Sequence, residues 1–136
     1  MLQKLTHKNR GGFTLVEIMI VVAIIALLAA IAVPNFLRAR KRSQATRVLE
    51  DLRMIDAAID QYAIENNKKS GDSVVWTDIQ SYLKQGTALY TSNGNDMFNN
   101  SYNGGSFTVD SIPKVSTSTF TVLSDVAPTT FWSPYK

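Results

Sequence analysis

The strongest pattern in the sequence is an apolar stretch near the N-terminus. Every residue from Ile18 to Val33 is apolar, and the stretch follows a short, polar and basic opening. Charge followed by an apolar segment is the order found in sequences addressed to a membrane. As a helix at 1.5 Å per residue, residues 13–37 would extend roughly 37 Å, against a hydrocarbon core of about 30 Å. The pattern predicts a helix over 13–37 that can span a membrane.

A narrower apolar pattern follows Pro34. Apolar residues recur at alternating steps of three and four, which is typical of an amphipathic helix, so residues 38–66 are predicted to continue as a stalk. Because Pro34 lacks an amide donor and crowds the preceding turn, a kink or loosening is expected just before it. The stalk side chains predicted to pack on a head are Val48, Leu52, Ile55, Ile59 and Tyr62.

Residues 67–136 are predicted to form a small globular head. Thr77 and Gln80 have the spacing of a capping box, which predicts a short helix from Asp78 to Lys84. The Asn- and Gly-rich residues 92–105 predict a loop, and the aromatic residues 128–136 are expected to tuck against the head.

Alternation of apolar and polar residues predicts the head's strands. The apolar positions concerned are Phe107 with Val109 and Phe120 with Val122. The predicted fold class is therefore α+β: a long N-terminal helix, comprising a membrane span and an amphipathic stalk, with a small head of a short helix and an antiparallel β-sheet.

Composition excludes several kinds of chemistry. Lys4, Lys8 and Arg10 account for the formal charge of +3, so the basic pI does not indicate a nucleic-acid partner. There is no cysteine, and the single histidine, His7, precedes residue 13, so removal of residues 1–12 would exclude cysteine catalysis, histidine triads and zinc hydrolases. The chain is therefore not expected to be an enzyme. Asp96 is the only carboxylate of residues 92–105, whereas a calcium site collects several, so no metal or cofactor is predicted and calcium in the head is the weaker alternative.

An acid interrupts the start of the apolar segment. A carboxylate at bilayer depth costs about 2.5–3.5 kcal/mol, and such residues are functional by default. Cleavage between Gly12 and Phe13 would create an α-amino group four residues from Glu17. That amine, in the same chain or in a neighbour, could serve as the counter-ion.

The string Arg10-Gly11-Gly12-Phe13-Thr14-Leu15-Val16-Glu17, followed by the apolar run, resembles the prepilin peptidase site of type IV pilins and type II secretion pseudopilins. Pro34 also stands where that family has it. The resemblance implies removal of residues 1–12 as a leader, methylation of Phe13, and storage as a single-span protein of the bacterial inner membrane. It further implies delivery to a pilus or a periplasmic or cell-surface filament.

The expected function is a structural subunit that polymerises through its apolar helix. Besides itself, the expected partners are the prepilin peptidase, an inner-membrane assembly platform with minor pilins, and membrane lipid before assembly. Glu17 is expected to meet the Phe13 amine of an adjacent subunit, with Pro34 as a third assembly position. The residues expected in the membrane span and filament core are Leu15, Ile18, Ile20, Val22, Ile25, Leu28 and Ile31.

Two alternatives stay open. The chain could be a major-type pseudopilin of a type II secretion system. It could also be a secreted or membrane-anchored binding protein or enzyme, exported by an ordinary signal peptide cleaved near Ala32. The basic residues after the apolar run have three readings, namely a solvated face, a contact to lipid phosphates, or a pairing surface for acids of a neighbouring subunit. These residues are Arg38, Arg40, Lys41 and Arg42.

Overall fold

The computed structural model describes residues 11–136, so most of the predicted leader, residues 1–12, lies outside the described residues. The chain forms two compact units, of which the first ends at Leu37 and the second comprises Arg38–Lys136. Each unit is described by itself below.

Helix α1 covers Leu15–Glu65, close to the predicted limits of residues 13–66. The helix is assigned on both sides of Pro34, so this proline does not end it. A proline removes one amide donor from the hydrogen-bond ladder, while the other turns of the helix keep theirs. The first unit thus contains residues that precede α1 and the apolar part of α1, which ends at Leu37.

The core of the second unit is built on one face of α1. The predicted stalk positions Val48, Leu52, Ile55 and Ile59 are buried, and Tyr62 packs at the edge of the same core. Their spacing places them on a single stripe of the helix, and residues from the head cover that stripe. The head residues most deeply buried there are Val74, Ile79, Leu89, Tyr102, Leu123 and Trp132.

A two-stranded antiparallel sheet forms part of the head. Strand β1, Ser73–Val75, pairs with β2, Ser106–Thr108, with Val74 opposite Phe107. Both of these opposed side chains are buried, as expected of the inner face of a small sheet. The predicted strand is confirmed at Phe107, whereas Val109, which is also buried, lies just beyond the end of β2.

The second predicted strand, at Phe120 and Val122, is wrong. These residues lie in α4, Thr117–Leu123. Thr119 and Leu123 are buried four positions apart, which is one face of a helix, whereas Val122 is exposed. The β-branched residues of this segment favour a strand locally, but packing of that helical face decides the outcome.

The predicted helix from Asp78 to Lys84 begins earlier and ends earlier. Helix α2 covers Trp76–Ile79 and continues as a single 3₁₀ turn over Gln80–Tyr82. Its start is fixed by Asp78, whose carboxylate accepts the Val75 amide at 3.0 Å. The residue before the helix is therefore Val75, two positions upstream of Thr77, which the sequence pattern predicted as the cap.

Residues 92–105 are largely irregular, as predicted. A short helix, α3 (Ala88–Thr91), precedes them and a 3₁₀ turn at Tyr102–Gly105 closes them. Gly94 has a φ of +79°, and a Cβ there would lie 2.6 Å from a ring atom of Trp76. Only glycine combines this backbone conformation with so close an approach of the indole.

The aromatic C-terminal segment is tucked in, as expected. It contains α5, Thr129–Trp132, and the Trp132 indole is fully buried with its N–H donating to the Ala127 carbonyl at 3.0 Å. Tyr135 is also buried, and its hydroxyl donates to Asp56 of α1 at 3.3 Å. The end of the chain therefore helps to fasten the head to the stalk.

Candidate anchoring and assembly site

The first turn of α1 is closed by two of its own side chains. The Thr14 amide donates to the Glu17 carboxylate at 2.9 Å, and the Glu17 amide donates to the Thr14 hydroxyl at 3.2 Å. This reciprocal pair is a capping box, with Thr14 immediately before the first helical residue and Glu17 three positions on. Glu17 thus has a partner within its own chain.

Sequence reasoning missed this role. Thr-x-x-Glu ahead of an apolar run is the spacing of a capping box, and Thr14 and Glu17 have that spacing. Glu17 was interpreted only as a charge that needs a cation. Glu17 can cap the helix and still pair with a cation, because an ionised carboxylate offers about four acceptor sites.

The predicted cleavage position lies in exposed backbone just before this cap. Gly12 and Phe13 precede the helix, and the Phe13 side chain is 85% exposed. Apart from the adjoining residues, no heavy atom lies within 4 Å of the position where a Cβ would stand on Gly12. An exposed segment with small residues outside regular structure is a favourable protease substrate, so the geometry suits cleavage there.

The apolar part of α1 has no covering layer among residues 11–136. Within this part of the chain, α1 is the one helix long and apolar enough to cross a membrane, and none of its most apolar 18 residues is buried. A contiguous apolar surface of this extent marks a membrane or protein contact. The predicted core residues all lie exposed on it: Leu15, Ile18, Ile20, Val22, Ile25, Leu28 and Ile31.

A buried polar pair joins the stalk to the head. Tyr102 is fully buried, and its hydroxyl donates to the Asp51 carboxylate at 2.9 Å. Burial raises the pKa of Asp51, although the Tyr102 hydrogen bond and nearby Arg47 act in the opposite direction. Burial also raises the pKa of Tyr102, with the negative charge of Asp51 adding to the effect. The sequence analysis did not predict this contact, because no local pattern links Asp51 to a residue 51 positions away.

Asp96, the carboxylate considered for calcium, is engaged by protein donors. Its oxygens accept from the amides of Phe98 and Asn100, each at 2.9 Å, and from the Thr119 hydroxyl. Among residues 11–136 no group of three or more acid, histidine or cysteine side chains is arranged to hold a metal ion. The role of Asp96 in this structure is to order the loop against α4.

The basic residues after the apolar run separate into two groups. Lys41 forms an ion pair with Asp125 at 2.9 Å, and that hydrogen bond lowers the pKa of Asp125. Arg38, Arg40 and Arg42 are exposed and make no ion pair with any residue from 11 to 136. We refer to these three arginines as the arginine patch.

Taken together, a capped apolar helix, an acid in its first turn and an exposed segment before it are the arrangement expected of a membrane-anchored subunit. In agreement, the family model described as the prokaryotic N-terminal methylation motif matches residues 7–33.

Curated relatives match just under half of the chain. The type IV wide pilus major component PilA4 of Thermus thermophilus is 48% identical over 60 residues, which are 44% of this chain and 46% of that protein. The type IV major fimbrial protein FimA of Dichelobacter nodosus is 42% identical over 66 residues, 48% of this chain and 41% of that protein. The type II secretion system core protein G of Klebsiella pneumoniae is 37% identical over 61 residues, 45% of this chain and 44% of that protein.

The chain is thus similar, over part of its length, to type IV pilins and to a type II secretion core protein, and it carries the N-terminal methylation motif. The matched region spans less than half the length of these relatives. No solved structure gives a significant match to the chain.

Proposed function

We propose that this chain is a structural subunit of a type IV pilus-like filament, with no enzymatic activity of its own. The observation that carries the proposal is the methylation motif at residues 7–33, followed from Leu15 by a helix whose apolar part is exposed. An apolar surface of this kind needs lipid or further apolar helices around it. A filament subunit uses both, first in the membrane and then in the filament core.

In this proposal a prepilin peptidase cleaves after Gly12 and the new amino group of Phe13 is methylated. The exposed, non-helical backbone at these residues supports the assignment. The mature subunit then waits in the inner membrane, held by residues 13–37, until an assembly platform and minor pilins add it to the filament. Calcium and other cofactors are not part of the proposed function.

Glu17 is proposed to pair with the Phe13 amine of an adjacent subunit during assembly. In a dry bundle of apolar helices an unpaired charge is costly, and this pairing fixes the axial register that apolar contacts leave undefined. The capping box supports the proposal, since it holds the Glu17 carboxylate near the helix start, on the side of Phe13. Pro34 is proposed as a point where α1 adapts in the filament.

The mature N-terminus provides the first test. Intact-mass and N-terminal peptide analysis of the protein from its host should give N-methylated Phe13 as the first residue. A start at Val33 would instead identify an ordinary exported protein and refute the proposal.

A pair of variants at Glu17 provides the second test, because glutamine also serves in a capping box. Glu17→Gln keeps the cap acceptor and removes the charge, whereas Glu17→Val removes both. We expect both variants to be processed and inserted and both to fail to polymerise. Normal filament yield and register for Glu17→Gln would show that the cap, not the charge, is what assembly needs.

A type II secretion pseudopilin is the second candidate, favoured by the similarity to core protein G. Electron microscopy of sheared cell-surface fractions distinguishes the two. Surface filaments at native expression support a pilus, while their absence together with loss of protein secretion on deletion supports a pseudopilus.

A further inference from the structure

The arginine patch makes no ion pair within residues 11–136, and its one acidic neighbour, Asp125 beside Arg38 and Arg42, is already paired with Lys41. A second charged surface lies further along the stalk. A groove of about 400 Å³ at the far end of the stalk is bordered by Asp60, Ile64 and Asp110. Within residues 11–136 neither of these acids takes part in an ion pair. We refer to this surface as the acidic groove.

The acidic groove also has an exposed apolar residue. Ile64 is 78% exposed, although it lies beside two carboxylates. The groove's one cation, Lys68, places its ammonium 5.8 Å from the centroid of the Tyr62 ring. An arginine side chain suits this combination, because its aliphatic stem covers apolar surface while its guanidinium binds carboxylates.

The patch and the groove cannot meet within one chain. Arg42 and Asp60 lie on the same helix, 18 residues apart, a separation of roughly 27 Å at 1.5 Å per residue. Two complementary surfaces at different positions on one chain produce a head-to-tail contact, and a contact of that type builds an open polymer when it does not close into a ring.

We propose that the arginine patch of one subunit docks in the acidic groove of a second copy, shifted along the stalk by roughly 27 Å. This inference rests on the proposed filament function and adds a specific ionic contact between stalks. Lipid phosphate would account for the arginines but not for the two acids and the exposed Ile64. A second copy accounts for all of them.

Charge reversal provides the first experiment. The patch variant is Arg38→Glu with Arg42→Glu. The groove variant is Asp60→Lys with Asp110→Asn, because Asp110 has a φ of +63° and asparagine tolerates that conformation. All four positions are exposed, so each variant is expected to fold.

We expect each variant alone to lower filament yield roughly tenfold, and the combination to recover to within about threefold of wild type. The matched control is Glu50→Arg with Arg53→Glu, which exchanges an ion pair internal to one chain and should leave yield unchanged. Wild-type yield for both single-surface variants, or no recovery in the combination, would overturn the docking. If the wild-type chain itself forms no filament, the proposed function is refuted, and the contact is refuted with it.

Cross-linking provides the second experiment, because the chain has no cysteine of its own. Arg42→Cys with Asp60→Cys, treated with a short bis-maleimide in sheared filaments, should give a ladder of covalent oligomers. The separation of about 27 Å within a chain prevents an internal cross-link. Arg42→Cys with Gln85→Cys, which pairs the patch with an exposed head position outside the groove, should give no ladder. Equal ladders from both pairs, or none from the first, would refute the contact. If the patch instead served lipid, the patch variant would weaken membrane retention and the first pair would give no ladder.

Discussion

The Asp51 and Tyr102 pair gives the sharpest prediction about stability. Tyr102 is fully buried, so its hydroxyl has no solvent access through which to replace a lost hydrogen bond, and Asp51 is 9% exposed. Asp51→Ala leaves the Tyr102 hydroxyl without its acceptor, which costs about 1–3 kcal/mol of the free energy of unfolding. Asp51→Asn keeps an acceptor oxygen for Tyr102 and removes a charge that burial disfavours. We therefore expect Asp51→Asn to be at least as stable as wild type at pH 7.

The two variants also differ in pH dependence. Because burial raises the pKa of Asp51, the folded chain binds a proton there more readily than the unfolded chain does. The resulting stability is fully present below the unfolded pKa and is lost as the pH rises through the folded pKa. The wild-type protein should thus gain stability relative to Asp51→Asn as the pH falls from neutral towards 3.8, the ordinary value for this carboxyl.

The measurement is urea unfolding of the full chain in detergent micelles at several pH values, followed by tryptophan fluorescence. Both tryptophans, Trp76 and Trp132, lie in the head, so the signal reports on its unfolding. Taking the difference between wild type and Asp51→Asn removes the contribution of other carboxyls, including Asp56, whose pKa burial also raises. The reasoning is refuted if Asp51→Asn is destabilised as much as Asp51→Ala, or if the difference does not change with pH.

Three further predictions concern other contacts. Gly94→Ala should destabilise the head, because the new Cβ would meet Trp76 at 2.6 Å, and urea unfolding should show a lower midpoint than for the open position Gly104→Ala. Thr14→Ala should remove the cap from α1 at a cost of about 0.5–2 kcal/mol. Amide hydrogen exchange in micelles should become faster in the first turn only. An equal increase in exchange rate along the whole helix would contradict this prediction. Lys41→Ala should change the free energy of unfolding by less than about 1 kcal/mol, since the pair with Asp125 is exposed to solvent, and a larger loss would show a packing role for Lys41.

Sequence patterns predicted the long helix because its signals repeat over many turns. The unbroken apolar run and the seam through Val48, Leu52 and Ile55 each supply several consistent positions. The capping box was equally readable, since Thr14 and Glu17 have the required spacing. The cap was not predicted, because an acid within an apolar run also indicates a charge that needs a partner.

The head was harder to predict because its elements are short and depend on distant partners. Strand β1 has three residues, which are too few to show an alternating pattern of apolar and polar residues. Its position is fixed by pairing with β2, which lies far away in the sequence. Helix α4 consists largely of residues that favour strands, yet Thr119 is held there by Asp96 and by Asn100, whose amide donates to its hydroxyl at 2.9 Å. Contacts of this kind cannot be read from local periodicity.

The position of the capping box has a consequence for how such a subunit could be released from its leader. Thr14 and Glu17 both lie on the C-terminal side of the Gly12–Phe13 bond, and each accepts the amide hydrogen bond of the other. Severing that bond would therefore leave both hydrogen bonds of the cap in place. In the proposed function, the peptidase would act beside a helix that already carries its own cap.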